Sequence, residues 1–423
     1  MTADCLAPDR LETTPITSDE AIPRARSVWL AVAALGLGGF VVVTSEFLPA
    51  SVLSLIAADL GISEGVAGQA VTATALMGLA TAPTLAALVP RMDRRLLLAL
   101  LTGLALVSNV TVALAPSFPV LLVSRLLLGV AIAGFWSMSL SAVAQLVPAE
   151  RLGRAMTAVN AGVSLATVAA VPLGSYVGDA LGWRAVFWMA AAAAAVTFVL
   201  QLAWLPSIAP AGAAGLRTLW DTVRSRVVLT GLVAIGLIAG GHFSVFTYVR
   251  PAADQVPGLG AAGLATLLLV FGIGSFVGNL VAGPLADARL SLALLLGPLV
   301  LGVSTTSFAV LSDWYAGVLV ATAAWGIAFG GIPTLAQTWV ARVEPDRLES
   351  ASGLVVMMFQ LAIALGAAAG GLLIETAGVR TDYVVGAVAA VVGGVLISGT
   401  QRAPRGVPAT ARTREVAGSA PRA

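Results

Sequence analysis

The chain has no lysine, one histidine (His242) and one cysteine (Cys5) in 423 residues, and only 10% of its residues are charged. A water-soluble domain carries about 25% charged residues, so an ordinary soluble globule is excluded. One cysteine leaves no intrachain disulfide and no cysteine-based metal site. Without lysine no phosphate-binding loop of the glycine–lysine kind can exist. A single His and a single Cys on distant segments leave no basis for nucleophilic catalysis, so neither an enzyme, a cofactor nor a metal is expected. The net charge of +2 argues against a nucleic-acid partner.

What the chain does have is apolar length. Its mean hydropathy is +0.96. Runs able to cross about 30 Å of hydrocarbon fall at 28–55, 66–89, 95–115, 119–147, 153–178 and 183–205. Six more fall at 228–251, 262–286, 290–311, 314–341, 349–374 and 381–399. Segments 1–27 and 401–423 read as disordered cytoplasmic tails, and 206–227 as a polar linker. The first apolar run is too long for a cleaved signal peptide. The expected fold class is therefore an all-α integral membrane protein of twelve transmembrane helices, lying in the bilayer and monomeric.

Arginine placement orients it. Alternate loops, the tails and the linker hold Arg91, Arg94, Arg95, Arg151, Arg154, Arg217, Arg224, Arg226, Arg289, Arg342 and Arg347 among others, whereas the opposite loops hold only Arg184, Arg250 and Arg380. The positive-inside rule then places both termini and the linker in the cytoplasm of a cell's inner membrane.

The two sets of six runs are copies. A shift of 196 residues carries Gly134 onto Gly330, Arg151 onto Arg347, Leu152 onto Leu348, Gly174 onto Gly370, Gly182 onto Gly378 and Arg184 onto Arg380. The reading is two parallel-repeat six-helix bundles, 28–205 and 228–400, with a binding site at their interface.

Polar residues inside the runs are the candidates for function, because charge in hydrocarbon is costly. Glu46 is the only carboxylate well inside a run and Arg125 the only arginine. The two are expected to lie near one another or to be joined through water. Burial favours the neutral acid and a guanidinium favours the carboxylate, a balance suited to proton exchange; a permanent structural ion pair is the alternative. His242 is Glu46 shifted by 196 and could share the proton, bind substrate, or be a core imidazole. Trp136, Ser137, Asn160, Trp325, Gln337 and Gln360 offer aromatic faces and uncharged hydrogen-bonding edges for a small-molecule substrate, or interhelical contacts.

These residues resemble the major facilitator superfamily, in particular its twelve-helix drug:H+ antiporter group. Gly162 with Pro172-Leu173-Gly174-Ser175-Tyr176-Val177-Gly178 is similar to that group's antiporter motif, and Ala368 stands where the second copy would repeat Pro172. Arg125-x-x-x-Gly129 resembles the motif whose arginine is associated with proton transfer. The loop motif GxLADRxGRR is poorly kept as 86–95, where Pro90 replaces the aspartate ahead of Arg91, Asp93, Arg94 and Arg95, and better kept as Gly283-Pro284-Leu285-Ala286-Asp287. The missing acid puts the first half's gating contact in question. Ser45-Glu46-Phe47-Leu48-Pro49, Ile62 to Gln69, Gly134 to Ser139 and Gly241-His242-Phe243 resemble purine ribonucleoside efflux pumps and their sugar-efflux, arabinose exporter-like relatives. The resemblance implies the major facilitator fold and a proton-coupled exporter, with purine ribonucleosides as the best guess. Multidrug or sugar export, and more remotely a non-transporting membrane sensor, are the alternatives.

Overall fold

The structure is a computed structural model that describes residues 18–210 and 215–400. Residues 1–17 and 401–423, where most of the two tails was expected, lie outside the described residues. In chain order the helices are α1 (Ser18–Ser51), α2 (Leu53–Leu60), α3 (Glu64–Leu88), α4 (Arg94–Ala113), α5 (Phe118–Leu146), α6 (Leu152–Leu181) and α7 (Trp183–Trp204). Then follow α8 (Leu216–Arg224), α9 (Arg226–Thr247), α10 (Val249–Ala253), α11 (Gly260–Val310), α12 (Tyr315–Val343), α13 (Leu348–Ala377) and α14 (Val379–Gly399).

Ten of these are long and apolar enough to span a membrane, and eleven if α6, bent by 44° between Ala170 and Leu173, is one span. The twelfth crossing is hidden in α11. Its 51 residues would reach about 76 Å if straight, far more than a bilayer core. The backbone leaves helical geometry at Arg289 (φ −147°, ψ 59°) and the chain reverses there. Before Arg289, Gly274 lies against Ala323 and Gly278 against Ile327, parallel to α12. After it, Gly297 lies against Ile332 and Leu335 while Leu311 meets Gly317, which is antiparallel. Two legs of α11 therefore cross in opposite senses.

Local chemistry sets the helix ends. The Ser63 hydroxyl accepts from Val66 N–H at the start of α3, and Asp93 accepts from Arg95 and Leu96 N–H at the start of α4, each satisfying amides that a helix start leaves free. Gly182 and Gly378 break the chain before α7 and α14 at φ 85° and 84°, a conformation costly for any residue with a Cβ. These two turns are 196 residues apart, as are the starts of α6 and α13 and of α7 and α14. Side chains such as Val123, Val199, Val303 and Val320 are exposed on the outside of the bundle. An apolar exterior of this extent suits lipid, not water.

The hydrogen bonds and ion pairs that join the first six spans to the last six cluster on the face that carries the linker, called here the link face. α6 packs on the first leg of α11 there: a Cβ at Gly153 would sit 2.5 Å from Gly283 O. α13 packs on α3: a Cβ at Gly353 would sit 2.3 Å from Ala82 O. Only glycine permits such backbone approach.

Candidate functional site

Glu46 and Arg125 come from α1 and α5. Arg125 is fully buried and its Nη2 donates to Ser45 O at 3.0 Å, the carbonyl next to Glu46. Among the described residues its Nε and Nη1 have no hydrogen-bond partner, nor have Asn109 Oδ1 and Thr44 Oγ1. Asn109 Nδ2 in turn donates to Ser45 Oγ at 2.8 Å, and Thr74 Oγ1 donates to Arg125 O at 3.2 Å. Gly129, one turn beyond Arg125, makes room for this by lying against Thr74 O. Glu46 is only half-buried, and no ion pair among the described residues joins it to Arg125. The bond to Ser45 O sets the guanidinium beside the backbone that carries Glu46. The expected proximity is present, but not a permanent salt bridge. A guanidinium with free donors beside an acid that reaches the surface is chemically able to favour the carboxylate without locking it.

His242 sits in a box of rings contributed by α9, α11 and α12. Phe329 stacks on the imidazole with centroids 3.3 Å apart and planes 10° apart, and Phe246 and Phe271 lie near-parallel at 5.3 and 5.9 Å. Trp325 Nε1 donates to His242 Nδ1 at 3.0 Å. An indole N–H can only donate, so Nδ1 accepts and the neutral imidazole carries its hydrogen on Nε2. Protonation of Nδ1 would break that bond. The geometry makes His242 a fixed neutral group whose remaining donor is Nε2–H. Its register with Glu46 holds: Gly174 lies against Leu48 and Gly370 against Ser244, both pairs related by the same shift of 196.

The uncharged candidates divide. Trp136 and Gln360 are half-buried, and Gln360 lies across from Gly78 of α3. Trp325 is 0% exposed and is committed to His242. Ser137 donates to Ala82 O and Ala133 O, tying α5 to α3. Asn160 Nδ2 donates to Thr334 Oγ1 (2.8 Å) and Gln337 Oε1 (3.0 Å), so Asn160 and Gln337 bond to each other across the two sets of six spans. Thr157 and Asn279 continue the seam, each donating to the other's carbonyl at 3.0 Å.

The antiporter-motif glycines all serve one contact. A Cβ at Gly162 would meet Gly36 O at 2.1 Å, at Gly174 Ser51 Oγ at 2.2 Å, and at Gly178 Val52 Cγ1 at 2.6 Å. They press α6 onto the α1–α2 segment, α1 being the helix that carries Glu46. The side chain of Pro172 lies outside the described residues.

On the link face, Asp287 accepts from Gly153 N–H at 2.7 Å and Arg154 N–H at 3.2 Å, an acid set on the positive N-terminus of α6. In the loop motif of the first half the counterpart of Asp287 is Pro90, and no carboxylate can come from Pro90. The acid comes from α13 itself. Glu349, the repeat of Gly153, takes both Arg94 Nε (2.6 Å) and Nη2 (2.5 Å) in a pair whose side chains are 0% and 2% exposed. Ser141 also donates to Glu349, at 3.3 Å, and Arg94 Nη1 donates to Val89 O and Met92 O. An acid–base contact therefore joins the two sets of spans here too, with its charges exchanged between partners. Asp93 caps α4 and accepts from Ser207 of the linker; burial pushes its carboxyl up, but the Ser207 hydroxyl and nearby backbone amides outweigh this and hold it below the usual carboxylate range. Arg95 donates to Leu202 O, and Arg91 is exposed. Glu349 was not among the residues singled out from sequence, since an acid at the very start of an apolar run reads as a helix end.

Comparison with known proteins agrees with this architecture. The family model of the Major Facilitator Superfamily matches residues 35–296 and 256–421. The transcription regulatory protein OpdE of Pseudomonas aeruginosa is 36% identical over 391 residues, 91% of this chain and 97% of its own. The purine ribonucleoside efflux pump NepI of Salmonella paratyphi B is 37% identical over 358 residues, 84% of this chain and 89% of its own. Among solved structures, the human organic anion transporter MFSD10 superposes with a TM-score of 0.71 at 16% identity, over 89% of this chain and 99% of its own. The proton:xylose symporter XylE does so at 0.72 and 13%, over 88% and 96%. The chain is a multi-pass membrane transporter, not an enzyme, and belongs to the major facilitator superfamily.

Proposed function

We propose that the protein is a proton-coupled exporter of purine ribonucleosides that works by alternating access. The observation that carries this reading is Glu46: a half-buried acid on α1, beside a buried guanidinium that keeps two donors free. Such an acid can take a proton from water on the open side, keep it while the cavity is closed, and release it to water once the opposite side opens. With the arginine bias setting the link face in the cytoplasm, the seam of Arg94–Glu349, Asp287–α6 and Asn160–Gln337 closes the inner side. The conformation is then outward-facing, in which an exporter releases substrate and takes up its proton. The halves 28–205 and 228–400 rock about this seam, with the 206–227 linker and both termini in the cytoplasm and a monomer as the working unit. Trp136, Phe329, Gln360 and the His242 Nε2–H supply ring faces and polar edges that fit a purine nucleoside, and Asn160 and Gln337 become free for substrate only when the seam opens.

The name of NepI supports this substrate class, and the name of OpdE supports a second reading in which the protein senses a ligand without moving it. Proteoliposomes loaded with labelled inosine separate them. Efflux driven by an imposed proton gradient is expected. Movement of a sugar or a drug but not of inosine replaces the substrate. Binding of ligand with no movement of any of them leaves the sensor.

A further inference from the structure

Asp382 has no place in the scheme above. It lies one turn into α14, on the face opposite the linker, and is 0% exposed. Among the described residues neither carboxylate oxygen accepts a hydrogen bond, and the adjacent Tyr383 buries a hydroxyl with no partner. The surrounding helices close tightly: a Cβ at Gly386 would sit 2.6 Å from Gly241 O and 3.1 Å from Ser244 Oγ, and one at Gly370 would sit 2.7 Å from Ser244 O. Ser244 of α9 is the polar side chain beside the carboxyl, with its hydroxyl turned to Gly241 O at 3.1 Å. A turn about its χ1 would bring that hydroxyl onto Asp382.

Among the described residues no cation is paired with the acid. Arg380 on the same helix is exposed and donates to Ser312. On α9 the titratable group is His242, bonded to Trp325. Arg250 of α10, Asp313 beyond the end of α11 and Glu375 of α13 are exposed, and none of the ion pairs includes Asp382. The α14 N-terminus favours negative charge, yet no amide reaches the oxygens. An ionised carboxylate here would lose its hydration with only the helix N-terminus in return. One carboxylate and one hydroxyl are too few oxygens for a metal cation, and among the described residues no three His, Cys, Asp or Glu side chains gather into a metal site.

We infer that Asp382 is a second proton-binding site. It holds a proton as the neutral acid, hydrogen-bonded to Ser244 Oγ, and releases it to water on the face opposite the linker when α9 shifts against α14. Its role in transport rests on the proton-coupled reading of the carrier, but occupancy of the site does not.

The test counts protons taken up by the full-length protein in lipid nanodiscs during an acid jump, together with the infrared C=O band of protonated carboxyls. Asp382→Asn is expected to take up one proton fewer than the wild type and to lose one component of the band, with Glu46→Gln losing a different component. Ser244→Ala, which keeps the acid, is expected to shift the Asp382 component. An unchanged count and band in Asp382→Asn overturns the inference. So does an unshifted band in Ser244→Ala, which holds even if Asp382→Asn fails to fold. Sodium at fixed pH releasing protons from the wild type but not from Asp382→Asn would also overturn it, by making the site a cation site. Loss of the Glu46 component alone from the wild-type spectrum would sink the coupling role of Glu46 and leave Asp382 standing.

Discussion

Glu349→Gln removes the negative charge from the buried Arg94–Glu349 pair and leaves the Arg94 cation inside with neutral acceptors alone, the new amide oxygen and the Val89 and Met92 carbonyls. Stranding one member of a buried pair costs about 3–5 kcal/mol. That cost falls on the closed link face alone, because Arg94 is hydrated once the seam opens. With two carbonyl bonds retained the lower end applies, and about 3 kcal/mol moves the closed-to-open ratio by on the order of a hundredfold. Spin labels at Glu150→Cys and Asp346→Cys, both exposed on the link face and on opposite halves, read the change by pulsed dipolar spectroscopy in a Cys5→Ser background. The wild type should give one short distance, and Glu349→Gln a longer population that dominates. The double variant Arg94→Met/Glu349→Met, an apolar pair of similar bulk, should return the short distance, since such exchanges are often neutral. An unchanged distribution in Glu349→Gln would refute the claim that this pair holds the face shut.

Gly162→Ala places a Cβ 2.1 Å from Gly36 O and should cost about 1–3 kcal/mol by overpacking, read as a fall in Tm, whereas Gly68→Ala, with open space around it, should not fall. Asp93 contributes stability above the usual carboxylate range, because its folded-state pKa is depressed, and that contribution is lost as pH falls through the depressed value. Asp93→Ala should therefore cost about 1 kcal/mol at pH 7 and nothing in strong acid, with thermal unfolding at several pH values as the check. Because His242 is the only histidine, nitrogen NMR of histidine-labelled protein reports one ring: the Nε2–H tautomer is expected in the wild type, and a mixture in Trp325→Phe. A mixture already present in the wild type would show that the Trp325 bond does not hold in solution.

Much of the fold is legible in the sequence because lipid simplifies the problem. Twenty apolar residues must cross as a helix, and a repeat in glycines and arginines marks two copies. The small residues of the antiporter motif announce a close contact, though not that its partner is the Gly36–Val52 stretch. Helix rotation is where reading stops. Asn160 and Gln337 look alike as substrate ligands or as partners of each other, and the choice depends on which faces of α6 and α12 meet. Glu349 and Asp382 escaped for a different reason. Both lie within the first turn or so of a span, where acids are ordinary, and only packing from α4 and α9 shows that they are buried. The reversal at Arg289 is visible in sequence as a polar break between two apolar runs, even though the helix there is nearly continuous.

The central claim, that Glu46 couples export to protons, is tested most directly by comparing Glu46→Gln with the wild type in two assays on the same proteoliposomes. Exchange of labelled against unlabelled inosine at equal pH needs only alternating access, whereas uphill movement under a pH gradient needs the proton site. The account predicts that Glu46→Gln retains exchange and loses gradient-driven movement. Full gradient-driven movement in Glu46→Gln would contradict it.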